Sequence, residues 1–171
     1  MDSTQQTIGD ISPENAQQIR QFVDSHPDGV IATVTADGQP QASVVYFSVD
    51  DELNFYFTTK SETRKAHNIG KGAPISIAIH DAAAQTVVKA AGQAEALSDA
   101  GETLEVYRRT VHSAQTSGPD TVPPIARISA GEFLAYRIAP DFLEFKTYGH
   151  GDNFANALQH ASDQPASGDP S

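Results

Sequence analysis

Across residues 29–59 the spacing of apolar side chains changes from helical to extended, with two turn signals between the runs. This pattern constrains the fold more than any other feature of the chain. Residues 30–36 are rich in β-branched side chains, Asp37-Gly38 is a strong hairpin turn, and residues 42–49 form a second β-rich run. Asp50-Asp51-Glu52 turns the chain again, and residues 53–59 alternate Leu53, Phe55 and Phe57 against Asn54, Tyr56 and Thr58. Extended runs joined by turns this short pair with their neighbours, so a three-stranded antiparallel meander is expected.

The flanking segments add helices and further strands. Ser12-Pro13-Glu14 carries a cap, a first-turn proline and an acid for the positive helix end, and Ile19, Phe22 and Val23 supply a stripe, predicting a helix over residues 13–25. A short helix is expected over residues 60–69, stopped by Gly70-Lys71-Gly72. Residues 74–80 and 86–97 read as two strands. A helix then starts at Ser98-Asp99, with Leu104, Tyr107 and Val111 on one side. Residues 131–137 and 143–148 read as two last strands flanking Ala139-Pro140-Asp141. The expected class is mainly β with peripheral helices (α+β), an antiparallel β-barrel. One domain is expected over residues 13–150, between a disordered tail over residues 1–12 and a mostly disordered extension over residues 151–171.

Charge narrows the function. Asp and Glu number 22 against 11 Lys and Arg, a net charge of −11, whereas binding to nucleic acid or anionic membrane requires a cationic face. Neither partner is expected. No apolar run is long enough to span a bilayer and the first residues do not resemble a secretory leader, so a cytoplasmic protein is expected. There is no Cys, no His-x-x-x-His pair among the six histidines, no Gly-x-Ser-x-Gly elbow and no Gly-x-Gly-x-x-Gly fingerprint. No metal site and no catalytic acid–base or nucleophile set is expected.

The scarce cations are unevenly placed. Lys60, Arg64, Lys65 and Lys71 fall within residues 60–71 against the single acid Glu62, beside the hydroxyls of Thr58, Thr59, Ser61 and Thr63. Cations, hydroxyls and a helix start together suit a phosphomonoester. A solvated helix face answering nearby acids is the alternative, and local composition does not separate the two.

The blocks Asp37-Gly38-Gln39-Pro40, Ser43 to Phe47, Phe57-Thr58-Thr59, Thr63-Arg64-Lys65-Ala66-His67, Pro74-Ile75-Ser76 and Gly92-Gln93-Ala94-Glu95 resemble the pyridoxamine 5'-phosphate oxidase-like family of FMN-binding split β-barrels. The resemblance implies that Ser43, Val44, Val45 and Tyr46 lie along a flavin ring and that Thr58 and Thr59 end the next strand at the cofactor. It also implies that Thr63, Arg64 and Lys65 hold the FMN phosphate. A homodimer sharing its cofactors between subunits and a small-molecule substrate are implied with it. Where relatives often carry Arg on the strand after the proline this chain has Ser43, and a ring-facing Gln of the fifth strand falls near Val87, with Gln85 two residues away. The Trp and Arg-x-His elements of the vitamin B6 oxidases have no counterpart after Phe142-Leu143-Glu144-Phe145-Lys146, so that particular oxidation is not expected. Two classes remain: a flavin-dependent oxidoreductase, and a non-catalytic binder of flavin or haem. A deazaflavin-dependent reductase is a further possibility on the same fold.

Overall fold

The computed structural model describes residues 11–70, 74–115, 118, 121 and 131–148, and its first helix is opened by Ser12. The Ser12 side chain accepts from the Asn15 amide and caps α1 (Pro13–Ser25), whose Ile19 and Val23 are buried. The chain then enters β1 (Asp28–Val34), β2 (Pro40–Val49) and β3 (Phe55–Lys60), followed by α2 (Arg64–Ile69), β4 (Pro74–Asp81), β5 (Thr86–Ala96), α3 (Ala100–Gln115) and β6 (Phe133–Thr147). The strands close into an antiparallel barrel in the order β1-β2-β3-β6-β5-β4. The expected meander is therefore one half of the barrel, and the N-terminal tail and C-terminal extension fall mostly outside the described residues.

Strand alternation sends one face of each strand inward. Phe47, Phe55, Phe57, Ile31, Ile77, Ile79, Val88, Ile138 and Leu143 fill the interior and are essentially inaccessible to solvent. Phe57 stacks on Tyr136 with ring centroids 5.5 Å apart, and Phe47 meets Phe55 at 5.8 Å. Helix α1 closes one end with Ile19 and Val23, while Ile69 of α2 joins the same core from the other end. Helix α3, opened by the Asp99 side chain on the Glu102 amide, lies outside against β2, β3 and β6.

Two sequence expectations are revised. The short helix starts at Arg64 rather than Lys60, because Lys60 still pairs with Phe133 in the sheet and Thr63 is the first residue free to cap. The two last strands are one continuous strand through Ala139-Pro140-Asp141. Pro140 is tolerated there because pairing with β3 ends at Ile138, so on that side no donor is required of it. On the other side the register shifts: Gly92 faces Pro140 and Ala91 faces Phe142, leaving Asp141 as an extra residue.

The β2–β3 turn is held by one carboxylate. Asp50 accepts from the Glu52 and Asn54 amides, the Asn54 side-chain amide and the Tyr56 hydroxyl at 2.8–3.0 Å. Leu53 takes a positive φ of 62° within this turn. Burial alone would raise the Asp50 carboxyl, but the hydrogen bonds from Asn54, Tyr56 and Glu52 outweigh it and hold the group below its ordinary value. A lowered folded pKa means the stabilisation is full above the unfolded value and is lost as pH falls through the folded one. Replacing Asp50 by Ala is expected to cost about 2 kcal/mol at neutral pH. In acid denaturation the variant and wild-type stabilities should converge as pH falls; a gap that persists unchanged to low pH would refute this.

Candidate functional site

The β2–β3 ladder is short. It pairs Phe47 with Phe57, Ser48 with Tyr56 and Val49 with Phe55, and there it stops. Continued, the register would set Tyr46 opposite Thr58 and Val45 opposite Thr59. Each strand remains paired on its other side, β2 with β1 down to Pro40 and β3 with β6 up to Lys60. Residues 43–46 and 58–60 thus border an opening in the barrel wall, with backbone groups turned towards it that the β2–β3 ladder does not use.

Helix α2 sits at this opening. Thr63 Oγ1 accepts from the Ala66 amide at 3.4 Å, donates to the Lys60 carbonyl at 2.8 Å, and lies 2.9 Å from Thr59 Oγ1. Cap, strand end and hydroxyl pair are thereby tied together. Deeper in, the Asn68 side-chain amide donates to Thr33 Oγ1 at 3.0 Å and Gln41 Oε1 at 3.2 Å, fixing α2 to β1 and β2. The sequence reading did not single out this buried network, because an Asn at that helical position carries no period of its own.

The four clustered cations separate in the structure. Lys60 is 8% exposed, donates to the Gly131 carbonyl at 3.1 Å and sits 3.7 Å over the Phe133 ring, so its charge is engaged. Lys71 lies outside the described residues. Arg64 is exposed and Lys65 half-buried, and neither meets a carboxylate among the described residues. Burial pushes the Lys65 ammonium below its ordinary value, so a bound dianion would restore what desolvation removes. Thr59 and Thr63 are thus tied through their hydroxyls, and Arg64 and Lys65 follow Thr63 directly in the first turn of α2.

The other expected residues take different parts. Ser43 and Val45 alternate inward, whereas Val44 is 58% exposed on the outer face, which Tyr46 shares two residues further along β2. Thr58 shares the face of β3 that carries Tyr56 and Lys60; its Oγ1 is buried without a partner among the described residues. Its backbone, rather than its hydroxyl, borders the opening. Gln85 lies in the β4–β5 turn with φ 50°, at the barrel end opposite α2, and its carbonyl accepts from the Tyr148 amide. It is not placed to face a ligand at the opening.

A second surface was not anticipated. Val30 (44% exposed) pairs with Val44 on one side and Ala78 on the other, and Ala32 pairs with Ala42, all on the uncovered outside of β1, β2 and β4. The available signal was Val44-Val45, an apolar pair that fills both faces of one strand. Among the described residues no cluster of His, Asp or Glu is arranged to hold a metal, and no helix is long and apolar enough to cross a membrane.

A six-stranded antiparallel barrel with an interrupted β2–β3 ladder and a cation-bearing helix at the gap defines a split-barrel protein. The family model for pyridoxamine 5'-phosphate oxidase matches residues 16–132, and the chain belongs to that family. A pyridoxine/pyridoxamine 5'-phosphate oxidase of Dichelobacter nodosus is 40% identical over 72 residues, covering 42% of this chain and 34% of that protein. One from Cupriavidus taiwanensis is 29% identical over 98 residues, covering 53% and 46%. The chain therefore spans less than half the length of these curated relatives. Among solved structures, a conserved hypothetical protein of Mycobacterium tuberculosis superposes with a TM-score of 0.64 at 21% identity, covering 80% of this chain and 89% of that one. A heme binding protein of Mycobacterium smegmatis gives 0.61 at 20% identity (83% and 58% covered), and an F420 reductase 0.58 at 22% (72% and 94%). At these identities the likeness is one of fold.

Proposed function

We propose that the protein binds FMN at the β2–β3 opening and acts as an oxidoreductase on a small molecule. The observation that carries this reading is the termination of the β2–β3 ladder beside two cations that no described acid compensates. Thr59 and Thr63 would bond the phosphate oxygens, with Arg64 offering a planar fork and Lys65 a point charge. Ser43, Val44, Val45 and Tyr46 would line the ring with backbone donors and acceptors, and Thr58 would border it. When bound, a flavin supplies hydride chemistry, so the protein's own task is to orient the ring and exclude water.

The proposal includes a homodimer joined through the apolar outside of β1, β2 and β4. Val44 is the centre of that face, and its 58% exposure in the single chain is unusual for a residue flanked by Val30 and Ala42. Val44→Glu is expected to convert a dimer to a monomer in sedimentation velocity. A wild-type chain that sediments as a monomer at micromolar concentration would overturn this part.

The absorption spectrum of the purified protein, followed by titration with FMN, tests the cofactor. A flavin spectrum or saturable quenching of FMN fluorescence supports the reading, and neither would overturn it. The same cations could receive the phosphate of a deazaflavin, and the spectrum separates that cofactor and haem from FMN. Anaerobic bleaching by NADPH then distinguishes an enzyme from a binder.

A further inference from the structure

The turn between β3 and α2 is held from outside by residues far along the chain. Lys60, Ser61, Glu62 and Thr63 form it, and Gly131, Glu132 and Phe133 lie against it where β6 begins. We propose that Lys60 and Gly131 are positioning residues for the phosphate site: they touch no ligand themselves and set the shape of the turn that presents Thr63, Arg64 and Lys65. This role presupposes that a phosphate binds at those three residues, the reading given under the proposed function.

The clamp is built from contacts on both sides of the turn. The Ser61 amide donates to the Glu132 carbonyl at 2.9 Å, and the Glu132 amide donates to Ser61 Oγ at 3.0 Å, so these two residues are joined reciprocally. The Lys60 ammonium donates to the Gly131 carbonyl at 3.1 Å and lies 3.7 Å over the Phe133 ring. Phe133 in turn meets Tyr107 of α3 edge-on, with ring centroids 5.0 Å apart. Inside the turn, the Lys60 carbonyl accepts from the Thr63 amide at 3.0 Å and from the Thr63 hydroxyl at 2.8 Å. Lys60 therefore anchors the clamp with its side chain and the α2 cap with its carbonyl.

Burial and backbone geometry agree with this role. Lys60 is 8% exposed and forms no ion pair among the described residues. An ammonium buried without a carboxylate is a costly way to fill space, but it is a strong donor for fixing a carbonyl. Gly131 takes a φ of +81°, and a Cβ there would lie 2.6 Å from Ser61 Oγ and 3.1 Å from the Glu62 amide nitrogen. The close approach of the two segments thus requires glycine at this position.

Groups that bind a ligand must be held to within about 0.5 Å of their productive places by the contacts behind them. Thr59 Oγ1 lies 2.9 Å from Thr63 Oγ1, so a shift of Thr63 also separates the hydroxyl pair. Residues 43–46, proposed to line the ring, belong to β2 and take no part in the clamp. A distorted turn is therefore felt by the phosphate and not by the ring.

Fluorescence titration of FMN and of riboflavin with Gly131→Ala and with Lys60→Met tests the role. Gly131→Ala removes no charge, yet it should weaken FMN about tenfold and leave riboflavin within about twofold. Lys60→Met, which removes the donor and keeps an unbranched chain, should do the same. Added to Arg64→Ala with Lys65→Ala, the Gly131 change should weaken FMN by no more than about twofold further, because a positioning residue acts through the groups it places. In the ligand-free protein, Gly131→Ala should speed amide hydrogen exchange at Ser61 and Thr63 about tenfold and leave β1 and β4 unchanged. Lys60→Met decides the matter if Gly131→Ala fails to fold. A wild type that binds FMN no better than riboflavin would overturn the phosphate site and this role together. An FMN preference kept in the folded variants, an equal loss for riboflavin, or a full tenfold loss in the Arg64→Ala, Lys65→Ala background would overturn the positioning role alone.

Discussion

Arg64→Ala combined with Lys65→Ala is expected to weaken FMN binding by about a hundredfold while leaving riboflavin affinity within about twofold, because riboflavin lacks the phosphate. The two cations stand beside Thr63 without carboxylate partners among the described residues, so removing them disrupts no ion pair there. Each charge-assisted bond is worth roughly 1.5–3 kcal/mol, and exposure of Arg64 to solvent places it at the lower end. Two such bonds amount to about 3 kcal/mol, which is the hundredfold expected. Fluorescence titration of both flavins with both proteins measures it. An equal loss for riboflavin would show that the ring site, and not the phosphate, had been damaged. Unchanged FMN affinity would remove Arg64 and Lys65 from the site altogether. Raising the salt concentration should weaken FMN binding to wild type more than to the double variant.

The second large effect concerns the barrel itself. Gly92→Ala is expected to destabilise the fold by about 3 kcal/mol, seen as a drop of roughly 10 °C in Tm. A Cβ at Gly92 would collide with the Ala139 carbonyl oxygen and lie 3.1 Å from the Pro140 Cα, both backbone atoms of β6. Backbone cannot rotate away as a side chain would, so the strands must separate locally. The position is the bulge that lets β6 pass Pro140 and Asp141 without breaking its pairing with β5. The same substitution at Gly38, where a Cβ meets nothing within 4 Å, is strained only by its φ of +84° and should cost about 1 kcal/mol. Equal losses at the two glycines would show that close approach at Gly92 is not the cause.

Much of this was readable in the chain. The hairpin turn at Asp37-Gly38 and the alternation through Phe55 and Phe57 mark adjacent strands, since turn chemistry and period-two spacing are local properties. The cluster of Thr63, Arg64 and Lys65 was visible because cations are scarce, and the cap that organises it spans only three residues. Lys60 was misleading for the same local reason. Its position among cations predicts a shared ligand, but its ammonium is engaged by Gly131 and Phe133, some seventy residues later in the chain.

Local spacing also failed at Pro140, where a turn signal sits inside a strand. A proline breaks a strand only if a neighbour requires its missing donor, and whether one does depends on where β3 ends. The sequence by itself determined the class of fold, the starts of α1 and α3 and the local clustering of cations with hydroxyls, all of which follow from interactions between residues a few positions apart. Tertiary structure alone decided where the β2–β3 ladder stops, that Val30, Val44 and Ala78 meet on one uncovered face, and that Lys60 meets Gly131 and Phe133. Those features depend on the register and closure of strands distant in sequence, which no local period encodes.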